Sequence, residues 1–173
     1  NAIERHSREG GNPEQKLRHL ISYTDESHQF TQSEVDALIN AIDNAKILDP
    51  ACGSGAFPMG MLHKLVHILH KLDPKNEQWK KRQIEKAKLI DDPNIRQNAI
   101  NDIEAAFESN ELDYGRKLYL IENSIYGVDI QSIAVQIAKL RFFISLIIDE
   151  KKQPGRENLG IRSLPNLETK FVA

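Results

Sequence analysis

The 173-residue chain is 40% hydrophobic, enough for one domain with a sizeable core. Its net charge of −2 excludes a global basic footprint of the kind that dominates phosphate-backbone binding, while leaving a local nucleic-acid contact open. The single cysteine, Cys52, excludes an internal disulfide framework, and no signal-peptide pattern opens the sequence, so the chain reads as cytoplasmic.

Residues 1 to 28 are polar, and only Leu17, Leu20 and Ile21 offer apolar spacing, which supports an N-terminal arm or short helix. Asn1-Ala2 reads as a scar of tag removal. Thr31 followed by Glu34 forms a capping-box pattern, and Val35, Leu38, Ile39 and Ile42 share one face, predicting a helix over about Gln32 to Asn44. "KILD" is a short strand, followed by "PACGSG" and a helix with Met61, Leu62, Leu65, Val66, Leu69 and Leu72 on one face. His63, His67 and His70 project from the opposite side and read as solvated; with Lys64 after His63 there is no HExxH zinc pattern.

From Asp73 to about Asn123 runs a charged, mainly helical stretch, with breaks at "LDPKN", "DDPN" and "ESNELDYG". Two or three helices inserted into the domain account for it. Its cluster "WKKRQIEKAK" sets Trp79 beside Lys80, Lys81, Arg82, Lys86 and Lys88, a pattern able to meet a phosphate backbone with one stacking aromatic; interleaved Glu77 and Glu85 also fit an ordinary solvated helix. "SIYGVDI" is a second strand ending at Asp129, and Gln131 to Asp149 is a helix apolar over most of its circumference, expected to be covered by neighbours. Gln136, Lys139 and Arg141 interrupt it, and it is too short to span a membrane. A polar loop, "EKKQPGREN", leads to a strand in "NLETKFVA" with Leu167, Phe171 and Val172 as its apolar positions. That strand stops without a following element, so the chain reads as a piece of a longer protein. The alternation predicts an α/β fold with a parallel sheet and helices on its faces.

Gly53-Ser54-Gly55 turns a strand directly into a helix, which brings backbone amides and the positive end of the helix dipole to the carboxyl edge of the sheet. Glycine there avoids a Cβ that would block a ligand or a positive φ. Asp129, ending the next strand, falls beside that loop and can accept hydrogen bonds from ribose hydroxyls. Together they describe a site for a nucleoside-containing cofactor. A nicotinamide dinucleotide is the second reading, because a third glycine is replaced by Pro58 and the acid follows about 75 rather than about 20 residues later, a gap the insertion explains. Asp49 either caps the loop or bonds the cofactor's amino group, and Asp129 also fits a helix cap. Cys52, with no histidine near it in sequence, is a poor candidate nucleophile.

"DPACGSGAF", Asp49 to Phe57, resembles the cofactor motif of S-adenosylmethionine-dependent N6-adenine DNA methyltransferases, and "QFTQSEV" and "IYGVDIQSIAVQIAKLRFFISL" resemble the flanking motifs of that family. The long insertion and "LPNLETKFVA" are similar to large fused type II restriction-modification methyltransferases. The resemblance implies an incomplete Rossmann-like class I methyltransferase fold over 29–173, with an insertion at about 73–123 and an arm at 1–28. It implies S-adenosylmethionine as cofactor, held by Phe30 and Thr31 at the methionine end, Asp49, Ala51, Gly53, Gly55 and Phe57 in the glycine loop, Asp129 on the ribose and Ile130 beside the adenine. Gln32 replaces the usual proline after the threonine. The family's Asn-Pro-Pro-Tyr/Phe motif, which grips a flipped-out adenine, is missing from these residues, so this part alone is expected to be inactive, with no catalytic residue and no metal. DNA is the implied partner of the full-length protein, with no membrane partner. In this fold the fourth strand pairs beside the first, so Ile47-Leu48 is expected as an open apolar edge or as a homodimer contact. An RNA or protein methyltransferase and a non-catalytic nucleotide-binding module are the alternatives.

Overall fold

A computed structural model describes residues 12–24, 27–109, 112–148 and 169–173. In chain order the elements are α1 (Pro13–Ile21), α2 (Gln32–Asn44), β1 (Ile47–Asp49), α3 (Ala56–Leu72), α4 (Glu77–Ala87), α5 (Pro93–Ser109), α6 (Leu112–Asn123), β2 (Ile125–Val128), α7 (Ser132–Ile147) and β3 (Lys170–Val172). The three strands are parallel in the order β1-β2-β3, with Leu48 opposite Tyr126 and Tyr126 opposite Lys170. The structure thus bears out a helix-flanked α/β arrangement around a small parallel sheet. Leu167 and the polar loop before it lie outside the described residues, as does the beginning of the N-terminal arm.

Local chemistry sets the helix ends. The Thr31 hydroxyl accepts from the Glu34 amide while the Glu34 carboxylate accepts from the Thr31 amide at 2.7 Å, a reciprocal cap that starts α2 at Gln32. Those bonds, the Thr31 amide's first, pull the Glu34 carboxyl below its ordinary value. At α4 the N-cap is Asn76, at φ 63°, a conformation asparagine tolerates better than most residues, and the first amides are instead taken by Asp73, which accepts from Glu77 and Trp79 at 3.1 and 2.9 Å.

Side chains alternate across the strands. Ile125, Gly127 and Phe171 point to the buried face, where Phe171 meets Phe142 of α7 at a ring separation of 4.9 Å. Leu48, Val128 and Val172 are exposed on the other. Among the described residues helices therefore cover one face of the sheet rather than both, and β1 is an edge strand with Leu48 60% exposed, as its apolar-edge expectation requires.

The charged stretch between α3 and β2 forms three helices, and they differ in role. α5 packs against both α4 and α6, and α6 also lies against α3, α7, β2 and β3 and contributes Tyr114, Leu120 and Ile121 to the core. Arg116 of α6 is fully buried; it donates to Asp113 at 2.6 Å and to the Asp73 carbonyl. Burial lowers its pKa and Asp113 opposes that shift. Trp79 is buried too, edge-on to Tyr119 at 5.2 Å. The stacking role for Trp79 is thereby overturned: its face of α4, with Gln83 and Ala87, is the packing face. Lys86 pairs with buried Asp43 at 2.5 Å, and Arg82 donates to the Asp36 carbonyl at 3.0 Å, so part of the basic cluster ties α4 to α2.

His67 and His70 of α3 are engaged rather than merely solvated. The His67 Nε2 lies 2.9 Å from the Ser22 carbonyl and its ring 4.6 Å from Tyr23, while His70 lies 3.8 Å from Asp113. The half-buried His67 seats the arm after α1. No described helix is long and apolar enough to cross a membrane.

Candidate functional site

β1 ends at Asp49, and the chain turns through 50–55 into α3. Gly53 and Gly55 have φ +52° and +82°, left-handed values that disfavour any Cβ. The two glycines do different work. A Cβ at Gly55 would lie 2.9 Å from the Ala138 Cβ, so this residue lets α3 start directly against α7. A Cβ at Gly53 would meet nothing within 4 Å, so there the space beside the backbone is open.

The loop is fastened to the end of β2. The Cys52 amide donates to the Val128 carbonyl at 2.9 Å, prolonging the strand ladder, and the Gly53 amide donates to Asp129 Oδ2 at 2.8 Å. Asp129 Oδ1 accepts from the Gln131 amide at 2.9 Å, and Asp49 Oδ1 from the Ala51 amide at 3.1 Å. Asp129 is thus both the brace of the glycine loop and the turn-former ahead of α7, where Gln131 rather than Asp129 is the N-cap. Each carboxylate oxygen keeps acceptor capacity beyond these single bonds.

Around this brace stand Ile130, 98% exposed, and Phe57, 57% exposed, in the first turn of α3. The first amides of a helix lack intrahelical acceptors, and Pro58, buried in that turn, has no amide to leave unpaired. Asp49, Ala51, Gly53, Gly55, Phe57, Asp129 and Ile130 are therefore gathered at one carboxyl edge. Phe30 and Thr31 are not joined to them by a described bond: Phe30 packs on the core with His28 at 6.0 Å and the Lys16 ammonium at 5.8 Å, and the Thr31 hydroxyl is taken up by the α2 cap.

Sequence reasoning passed over Gly127 and the packing role of Cys52. A Cβ at Gly127 would lie 2.5 Å from the Phe171 ring and 3.0 Å from Cys52 Sγ, so this strand glycine admits Phe171 and the loop cysteine together. A glycine inside a strand is the signal for such an approach. Cys52 is buried; burial, and then the charges of Asp129 and Asp49, push its thiol above the ordinary value of 9.0. A thiol held protonated is a poor nucleophile, and Cys52 serves as packing beneath the loop.

The arrangement offers carboxylate acceptors for hydroxyl or amino groups, an unobstructed backbone at Gly53 and apolar side chains for a flat ring. These features fit a nucleoside. A cavity of about 490 Å³ lies elsewhere, between α4, α5 and α6, lined by Lys86, Leu118 and Tyr119 among others.

Comparison with known proteins identifies the family. The family model for the MmeI DNA-methyltransferase domain matches residues 25–169. The chain belongs to that family. It is also 33% identical over 140 residues to a Methanocaldococcus jannaschii protein named "Putative type II restriction enzyme and methyltransferase"; the match covers 76% of this chain and 8% of that relative. No solved structure matches at a significant level. β1, β2 and the glycine loop lie on residues matched by the model of this DNA-methyltransferase family.

Proposed function

We propose that residues 29–173 are the S-adenosylmethionine-binding half of an adenine-N6 DNA methyltransferase in a restriction-modification or phage-defence enzyme, built on an incomplete Rossmann-like sheet. The observation that carries this reading is the Gly53 amide bonded to Asp129 at 2.8 Å beside open space over Gly53. It unites the two loops that a nucleoside must touch in a parallel α/β sheet.

In this assignment Asp129 accepts from the ribose hydroxyls while keeping the glycine loop in place, Ile130 lies against the adenine, and Asp49 and Ala51 meet its amino edge. Gly53, Gly55 and Phe57 shape the floor, and Phe30 and Thr31 hold the methionine end. When bound, S-adenosylmethionine would supply an activated methyl on its sulfonium for an exocyclic amine, with S-adenosylhomocysteine and one proton as the other products. The residues of this chain bind and orient; the groups that grip the target adenine belong to the missing Asn-Pro-Pro-Tyr/Phe motif, so the chain alone transfers nothing. DNA is the partner of the whole protein. In isolation two copies pair through the open β1 edge beside Leu48, which sedimentation of the isolated chain tests: a strict monomer contradicts it.

Calorimetric titration of S-adenosylmethionine into wild type and Asp129→Ala tests the site. Binding is expected for wild type and strongly reduced for the variant; equal affinity for both overturns the ribose assignment.

A further inference from the structure

α7 buries Val135, Ala138, Phe142, Ser145 and Leu146, and its opposite side is apolar as well. Ile133, Ile137, Leu140 and Ile144 follow at spacings of four, three and four, each between 42% and 66% exposed; half-buried Ile147 continues the row and Ile148, 75% exposed, flanks it. A spacing of alternating fours and threes is the seam that a partner helix fills with knobs in holes. A scattering of exposed aliphatic residues needs no explanation, but a continuous row along a whole helix does. The surface is therefore incomplete as an aqueous face.

Charge narrows the occupant. At the carboxyl-terminal end of the row a groove of about 330 Å³ is lined by Met59, His63, Lys117, Arg141, Ile144 and Ile148, so Arg141 borders the apolar seam together with Lys117, whose ammonium also donates to the Ser145 carbonyl at 3.2 Å. A second α7 packed antiparallel across a two-fold axis would bring Arg141 beside its own copy, and like charges side by side oppose that pairing. A helix with acids next to its apolar stripe meets the same border favourably. Length supplies the source, because the match to the M. jannaschii protein spans 8% of that relative, so most of a protein of that kind lies outside a chain like this one.

We infer that the outer face of α7 is a docking surface for an amphipathic, acid-flanked helix of the same polypeptide lying outside residues 1–173. The cofactor edge of the sheet is formed by the β1 and β2 loops at the amino-terminal end of α7, and the seam runs from there along the side of α7 opposite its packed core face toward Ile148, so this contact joins domains beside the cofactor site. The inference stands apart from the cofactor assignment.

The test uses the natural full-length polypeptide carrying a benzophenone amino acid at position 140, where the side chain is exposed and the substitution leaves the core intact. After irradiation of a mixture of isotopically light and heavy protein, the cross-linked peptides are sequenced by mass spectrometry. The expected product is a link within one molecule to a peptide outside 1–173 that has apolar residues at helical spacing and flanking Asp or Glu, with its yield reduced severalfold by Arg141→Glu. A light–heavy link to a second α7, a link to a different polypeptide, a link only within 1–173, or no link overturns the proposal. An unchanged yield in Arg141→Glu overturns its electrostatic part.

Discussion

The two loop glycines separate structural strain from ligand contact, and alanine at each measures the difference. Both sit at positive φ, so a Cβ costs roughly 1–2 kcal/mol at either position. At Gly55 that Cβ also stands 2.9 and 3.3 Å from the Cβ and Cα of Ala138. A backbone atom of a packed helix cannot swing aside, and such overpacking adds about 1–3 kcal/mol. Gly55→Ala is therefore expected to lose on the order of 2–5 kcal/mol and Gly53→Ala about 1–2 kcal/mol. Urea denaturation of both variants gives these values from shifted midpoints at constant slope. Cofactor affinity should run the other way relative to stability: Gly53→Ala, the milder fold variant, is expected to bind S-adenosylmethionine poorly because its methyl fills the open space beside the ligand. Equal stability losses, or Gly53→Ala binding at wild-type strength, would refute the division of roles.

Trp79→Ala is expected to cost roughly 3–5 kcal/mol by opening a core cavity, read by thermal or urea unfolding; a loss under 1 kcal/mol, coupled to weaker DNA binding, would restore the surface-stacking role. Lys86→Met leaves buried Asp43 with the Gln83 amide and the Tyr119 hydroxyl as neighbouring donors, and because Lys86 is itself partly exposed, its loss is expected to cost on the order of 1–2 kcal/mol rather than the larger penalty of a fully buried pair. Burial lowers the Lys86 pKa, but its bonds to Asp43 and Tyr119 outweigh that and raise it above 10.5. Its contribution is thus fully present below pH 10.5 and lost as pH rises through the higher folded-state value. The gap between wild type and Lys86→Met in urea should accordingly be constant to pH 10.5 and close above it, and a gap that widens with pH would contradict the sign.

Features encoded by neighbouring residues were legible in the sequence. The Thr31–Glu34 box marks the start of α2 because both partners lie within one turn, and the Gly53-Ser54-Gly55 turn reads directly as a strand-to-helix junction. Asp129 required the topology as well: only parallel pairing of β1 with β2 brings its carboxylate to the Gly53 amide. Trp79 was misleading because its buried partners one and two turns on are Gln83 and Ala87, so the packing face of α4 carries no apolar stripe amid its lysines. Arg116 shows locally only an ion pair with Asp113 three residues before it, which fits an exposed helix equally well; its second partner, the Asp73 carbonyl, is 43 positions away. α7 was expected to be enclosed, yet its apolar circumference exceeds what the described neighbours cover, since hydrophobicity records what must be buried and not which surface buries it.

The central claim, that the β1–β2 edge binds the cofactor, is tested most directly by amide NMR of the protein titrated with S-adenosylmethionine. The account predicts shifts concentrated at Ala51, Gly53, Ser54, Phe57, Asp129 and Ile130. Saturable shifts confined to Lys86, Leu118 and Tyr119 around the α4–α6 cavity, or no shifts at all, would contradict it.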